Sequence, residues 1–157
     1  MIGTHMKLSQ LLKKESIVAD LEATTKHGIL RELARAVAPV AGIDAQDIAT
    51  VLMERESLGS TGIGGGIAIP HGKLNSVKEI ILGFGRSKSG VSYDSLDGKP
   101  VHIFFLLLTP ENSTGGHLKV LAQISKLLKM DHFKQELINA ETMDDIHEFI
   151  VEQDEAF

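Results

Sequence analysis

Val101-His102-Ile103-Phe104-Phe105-Leu106-Leu107-Leu108-Thr109 is the stretch that decides the fold class. A half-buried strand alternates apolar and polar residues. This run is apolar at almost every position, as expected of a strand covered on both faces. Residues 79–86 read the same way, and the turn-rich residues 89–100 separate the two runs. A sheet covered on both faces needs helices above and below it.

Helical spacing appears on either side. Before the strands, Thr24 or Thr25 caps a helix whose apolar positions Ile29, Leu30, Leu33, Ala34, Val37 and Ala38 repeat until Pro39 and Gly42 stop it. A second helix starts at Asp44, buries Ile48, Val51 and Leu52, and runs toward Arg55 before Leu58-Gly59-Ser60-Thr61 turns the chain. After the strands, Ser113 or Thr114 caps a helix with Leu118, Leu121, Ile124 and Leu128 on its buried stripe, and shorter helical patterns follow at 133–138 and 143–151. A short helical turn at 8–12 and a short strand at 16–19 open the chain. Strands and helices interleave without an internal repeat. The expected fold is therefore α/β, a single domain with one mixed sheet flanked by helices on both faces.

The chain has 157 residues, the size of one domain, expected over residues 6–157, with residues 1–5 a cloning remnant before a native start at Met6. Its apolar runs are too short to span a bilayer, so no membrane insertion is expected. The absence of cysteine excludes disulfides, thiolate nucleophiles and cysteine zinc sites, and suits the reducing cytoplasm. A net charge of −5 without a Lys/Arg cluster argues against a nucleic-acid partner. His27, His102, His132 and His147 lack ligand spacing and read as structural or solvated, so neither metal nor cofactor is invoked.

Glycine-rich turns can bring backbone N–H groups to a phosphate, and Gly62-Ile63-Gly64-Gly65-Gly66 is such a run. The nucleotide motifs fail, however. A dinucleotide fingerprint would need glycine or alanine at Ile67 or Ile69, and the Walker pattern fails at Leu74, where serine or threonine is required. What remains is Ile67-Ala68-Ile69-Pro70-His71-Gly72-Lys73, in which a histidine ends an apolar strand between a residue of fixed φ and one of free φ. A neutral imidazole offers a nitrogen lone pair, and if a backbone carbonyl fixes one ring nitrogen, the other is the nucleophile.

The whole string from Arg55 to Lys73, together with His117-Leu118-Lys119-Val120-Leu121-Ala122, resembles the two histidine motifs of the fructose/mannitol and nitrogen-regulatory IIA family of the bacterial phosphoenolpyruvate-dependent phosphotransferase system. The resemblance implies a phosphotransferase component, a phosphohistidine carrier. His71 would be the acceptor, His117 the neighbouring active-site histidine, and Arg55 with Ser60 or Thr61 would lie near the phosphate. It also implies a small phosphocarrier protein as donor, and a IIB domain or regulatory target proteins as acceptors. Arg55 equally suits a cation at its own helix C-terminus, and Ser60 and Thr61 equally suit a turn. The glycine string is more similar to the nitrogen-regulatory branch than to the mannitol branch. The rival readings are a sugar-transport IIA component and a binding module that keeps only the fold.

Overall fold

The computed structural model describes residues 8–111, 116–130 and 132–155. The described elements are α1 (Leu8–Leu11), β1 (Leu12–Val18), α2 (Lys26–Ala41), α3 (Ala45–Ser57), β2 (Gly62–Gly64), β3 (Ile67–Ala68), β4 (His71–Leu74), β5 (Ile81–Val91), β6 (Val101–Pro110), α4 (Gly116–Leu128), α5 (Phe133–Asn139) and α6 (Met143–Glu155). They form one mixed sheet in the order β1-β5-β6-β3-β2, with β4 also paired to β6. The expected α/β architecture is the one observed.

The sheet is centred on the antiparallel pair β5 and β6, and the decisive run supplies both cores. Phe104, Leu106 and Leu108 face a cluster built with Ile29, Leu33 and Val37 of α2 and with Ile48 and Leu52 of α3. The alternate residues Ile103, Phe105 and Leu107 face Val120, Ile124 and Leu127 of α4, Phe133 and Leu137 of α5, and Ile146 and Ile150 of α6. Each such side chain, fully buried, contributes about 1.5–3 kcal/mol. The α2 helix lies so close to β5 that a Cβ on Gly83 would stand 2.7 Å from Val37 Cγ1.

The Thr25 hydroxyl caps α2 by accepting from Gly28 N–H, and Asp44 caps α3 by accepting from Gln46 N–H. Pro39, expected to stop α2, lies inside it. A proline near a helix end removes only one late backbone bond. The stop is Gly42, whose φ of 69° turns its N–H onto the Ala38 carbonyl. The α4 stripe is also rotated from the expected one: Leu118 is 61% exposed, while Val120, Ile124 and Leu127 are buried. Ser113 and Thr114, the expected caps of α4, and residues 1–5 lie outside the described residues.

Arg86 of β5 is fully buried on the α5 side, where its guanidinium donates to the carbonyls of Leu137, Ile138 and Ala140 and its Nε to that of Ala19. It closes the C-terminal end of α5, where a cation complements the helix dipole. Among the described residues no helix is long and apolar enough to cross a membrane.

Candidate functional site

His71 does not end a strand as expected; it begins β4. The strands β3 and β4 keep one parallel register on β6, with Ala68 opposite Phe104 and His71 opposite Leu107. Pro70 interrupts the ladder because it has no N–H. Its carbonyl still accepts from Leu107 N–H at 3.0 Å, so pairing resumes beyond it. Partners in a ladder share a face. His71 thus stands on the Leu107 face of the sheet, the one that packs under α4.

The half-buried His71 ring is tethered by its Nδ1, 2.8 Å from the Ile69 carbonyl. A carbonyl only accepts, so Nδ1 carries the proton and the lone pair of the neutral ring is on Nε2. The ring lines an open pocket of about 480 Å³. The α3 helix contributes Val51, Glu54 and Arg55, with Leu58 just beyond its end. The strands contribute Gly72, Lys73, Leu107 and Thr109, and Glu111 follows β6. Two cations, Arg55 and Lys73, thus share the wall with the His71 ring. Gly72 makes this wall possible by its size: a Cβ there would overlap Val51 Cγ1. Its φ is not in the left-handed region, so the freedom expected of it is not what the strand uses.

Arg55 lies in the pocket wall and also closes its own helix, with Nη1 donating to the Gly59 carbonyl at 2.8 Å. The bond to Gly59 fits the helix-end reading, and a guanidinium has five donors. Ser60 and Thr61 are not among the pocket's lining residues. The Ser60 hydroxyl donates to the Tyr93 carbonyl at 2.9 Å and accepts from Gly62 N–H. The Thr61 hydroxyl donates to Glu56. These bonds are those of turn residues that hold the chain between α3 and β2. His117 is the second residue of α4, three before Val120 and seven before Ile124, both buried. Its side chain lies outside the described residues.

The glycine run is a hairpin turn. Gly64, Gly65 and Gly66 have φ of 95°, 68° and 81°, and the N–H of Gly65 donates to Asp97 Oδ2 at 3.0 Å. Gly64 N–H donates to Ser95 Oγ, and Lys134 Nζ donates to the Gly65 carbonyl at 2.7 Å. The two amides engage a side-chain oxygen and a carboxylate of this chain. The Gly65 and Lys99 amides hold the Asp97 carboxyl below its ordinary value.

Sequence reasoning missed a buried cluster around Glu56, the residue after Arg55. Glu56 accepts from Thr61 N–H, from the Thr61 hydroxyl and from the Tyr93 hydroxyl, and pairs with Lys26 Nζ at 3.0 Å. One signal was available: an acidic residue at the end of a helix opposes the helix dipole, so something else must hold it there. Among the described residues no three histidine, aspartate or glutamate side chains are grouped to hold a metal ion.

The family described as "Phosphoenolpyruvate-dependent sugar phosphotransferase system, EIIA 2" matches residues 10–153. A fructose-specific EIIABC component of Bacillus subtilis is 38% identical over 95% of this chain, which spans 24% of that protein's length. A nitrogen regulatory protein of Bradyrhizobium diazoefficiens is 40% identical over 79% of this chain and 81% of its own. The crystal structure of nitrogen regulatory protein IIA-Ntr from Neisseria meningitidis matches with a TM-score of 0.85 at 33% identity, covering 91% of this chain and 98% of that one. The mannitol IIA of Escherichia coli matches at 0.74 with 19% identity over 88% and 97%, a likeness of fold.

Proposed function

Because this chain belongs to the phosphoenolpyruvate-dependent sugar phosphotransferase system EIIA 2 family, we propose that it is a phosphohistidine carrier whose His71 Nε2 takes a phosphoryl group from a small phosphocarrier protein. The observation that carries this reading is the bond from His71 Nδ1–H to the Ile69 carbonyl, which leaves the nucleophilic lone pair on Nε2 beside Arg55 and Lys73. In the transfer, the Nε2 lone pair forms the new phosphorus–nitrogen bond as the donor's bond to phosphorus breaks and its electron pair returns to the donor. No nucleotide takes part. Arg55 and Lys73 meet the charge on the phosphoryl oxygens. His117, at the start of α4, adds a ring N–H in a region where the helix dipole favours an anion. Ser60 and Thr61 act by holding the turn.

The nitrogen-regulatory type is the reading we favour, on the relatives of that name and on the fold match at 33% identity. Its targets would be regulatory proteins of the cytoplasm. The fructose-type alternative, passing the group to a IIB domain, draws on the Bacillus subtilis relative. A related pairing occurs in the complex of enzyme IIA mannitol with phosphorylated enzyme IIB mannitol from Escherichia coli.

Incubation with the general phosphocarrier, its enzyme and labelled phosphoenolpyruvate tests the proposal. The label should be acid-labile and base-stable and should vanish in His71→Ala; acid-stable label, or label that survives that change, refutes it. His117→Ala should melt like the wild type and transfer about a hundredfold more slowly. A wild-type rate would remove His117 from the mechanism. Transfer onward to an isolated fructose IIB domain would decide for the sugar-transport type.

A further inference from the structure

Glu56 is the penultimate residue of α3, and only 7% of its surface is exposed. Burial and the helix dipole both oppose a carboxylate in this position. Thr61 N–H at 3.0 and 3.2 Å, the Thr61 hydroxyl, the Tyr93 hydroxyl at 3.2 Å and Lys26 Nζ at 3.0 Å all converge on it. One of these contacts leads on toward the reacting ring. The Thr61 carbonyl accepts from Ile69 N–H at 3.0 Å, and the Ile69 carbonyl accepts from His71 Nδ1–H at 2.8 Å. The residue after Ile69 is Pro70, which confines Ile69 to extended backbone. Two bonds therefore hold the segment on either side of the Ile69 carbonyl: Ile69 N–H to Thr61, and Leu107 N–H to the Pro70 carbonyl.

We propose that Glu56 is a positioning residue for His71, acting through Thr61 and Ile69 to keep the proton on Nδ1 and the lone pair on Nε2. The proposal rests on reading His71 as the phosphoryl acceptor. A ring with its proton on Nε2 presents no lone pair there, so a displaced Ile69 carbonyl removes both the tautomer and the aim of the nucleophile. Fixing a reacting group through neighbours that do not touch the substrate is worth as much as about a hundredfold in rate per ångström of misplacement.

The test compares Glu56→Gln with Tyr93→Phe. The first removes the charge that gathers Thr61; the second removes another buried bond to the same carboxylate and leaves Thr61 N–H in place. Ring nitrogen NMR shifts of His71, phosphate uptake at saturating phosphocarrier, phosphocarrier affinity and thermal melts are measured for each. Glu56→Gln should show mixed tautomers and uptake slowed by about ten- to a hundredfold at unchanged affinity. Tyr93→Phe should keep the wild-type tautomer and rate even where its melting temperature falls. A wild-type tautomer and rate in Glu56→Gln would overturn the proposal. So would losses in both variants that follow stability with the tautomer unchanged. If Glu56→Gln does not fold, Glu56→Asp, which keeps the charge but draws the carboxylate back from Thr61 N–H, carries the test, and an unaltered His71 tautomer in it overturns the proposal. If the wild type takes up no phosphate, the carrier reading fails, and the tautomer comparison still decides the role of Glu56.

Discussion

In the hairpin turn, Gly64, Gly65 and Gly66 all have positive φ, whereas Gly72 lies in the ladder between β4 and β6 without it. The hairpin has the composition of a phosphate cradle, yet its Gly64 and Gly65 amides are engaged by Ser95 and Asp97 and its Gly65 carbonyl by Lys134. Gly72 offers no turn, but without a side chain it lets α3 descend on β4 and bring Val51, Glu54 and Arg55 to His71. Glycine solves a backbone problem in the first segment and a packing problem in the second. Only the second shapes the pocket. A glycine count does not separate the two uses; the neighbours of each glycine do.

The largest expected effect is at Gly72. In Gly72→Ala the new methyl would overlap Val51 Cγ1, so the helix must retreat or Val51 must leave its rotamer, costing about 1–3 kcal/mol. The same retreat widens the wall beside His71, so phosphate uptake should slow along with the loss of stability. Combining it with Val51→Ala should restore part of both, as a double-mutant cycle would show. If Gly72→Ala alone melts and reacts like the wild type, close approach is not what this glycine provides.

Two carboxylates, Glu56 at the end of α3 and Asp97 at the hairpin, differ in burial: the first is buried and the second exposed. Burial pushes Glu56 upward, but the Thr61 hydrogen bonds and Lys26 outweigh it and hold the carboxyl below its ordinary value of 4.5. As pH falls, the unfolded chain therefore takes up this proton before the folded one does. The stabilisation is full above about pH 4.5 and is lost as pH falls through the lower folded value. Around the Glu56 carboxylate stand Lys26, Tyr93 and, through Lys26, Asp94. The gap in melting temperature between wild type and Glu56→Gln should be constant near neutrality and shrink below about pH 4.5. A gap independent of pH would show that the ion pair contributes nothing beyond shape.

The sequence shows most of the fold because the decisive run is apolar on both alternations, and each alternation meets its own set of helices. Thr25, Gly42 and Asp44 were legible because caps act locally. The rotation of α4 was not legible: residues 118–128 offer two overlapping apolar rows, and only the sheet decides that Val120 and Leu127 are buried and Leu118 is exposed. Whether His71 ends a strand or resumes one depends on a register set by β6, distant in sequence. His71 and Arg55 were readable from their motif, and the pocket brings them together. Glu56 was passed over because its four contacts come from α2, the turn after α3 and the loop before β6, which no local pattern joins.

The smallest expected effect is at Asp97, and it sharpens the contrast from the hairpin side. Its carboxylate accepts from Gly65 N–H and Lys99 N–H, each at 3.0 Å, at an exposed position. Asp97→Asn keeps an acceptor oxygen but loses the charge, so the change in melting temperature should be slight. It should fade as pH falls below the ordinary aspartate value of 3.8, where the wild-type carboxyl also becomes neutral. Because the hairpin amides already have partners within the chain, phosphate uptake by His71 should be unchanged in this variant, and the Gly64 and Gly65 amide NMR shifts should barely move when His71 is phosphorylated. Slow uptake in Asp97→Asn, or large shifts at those amides on phosphorylation, would tie the glycine turn to the phosphoryl group after all.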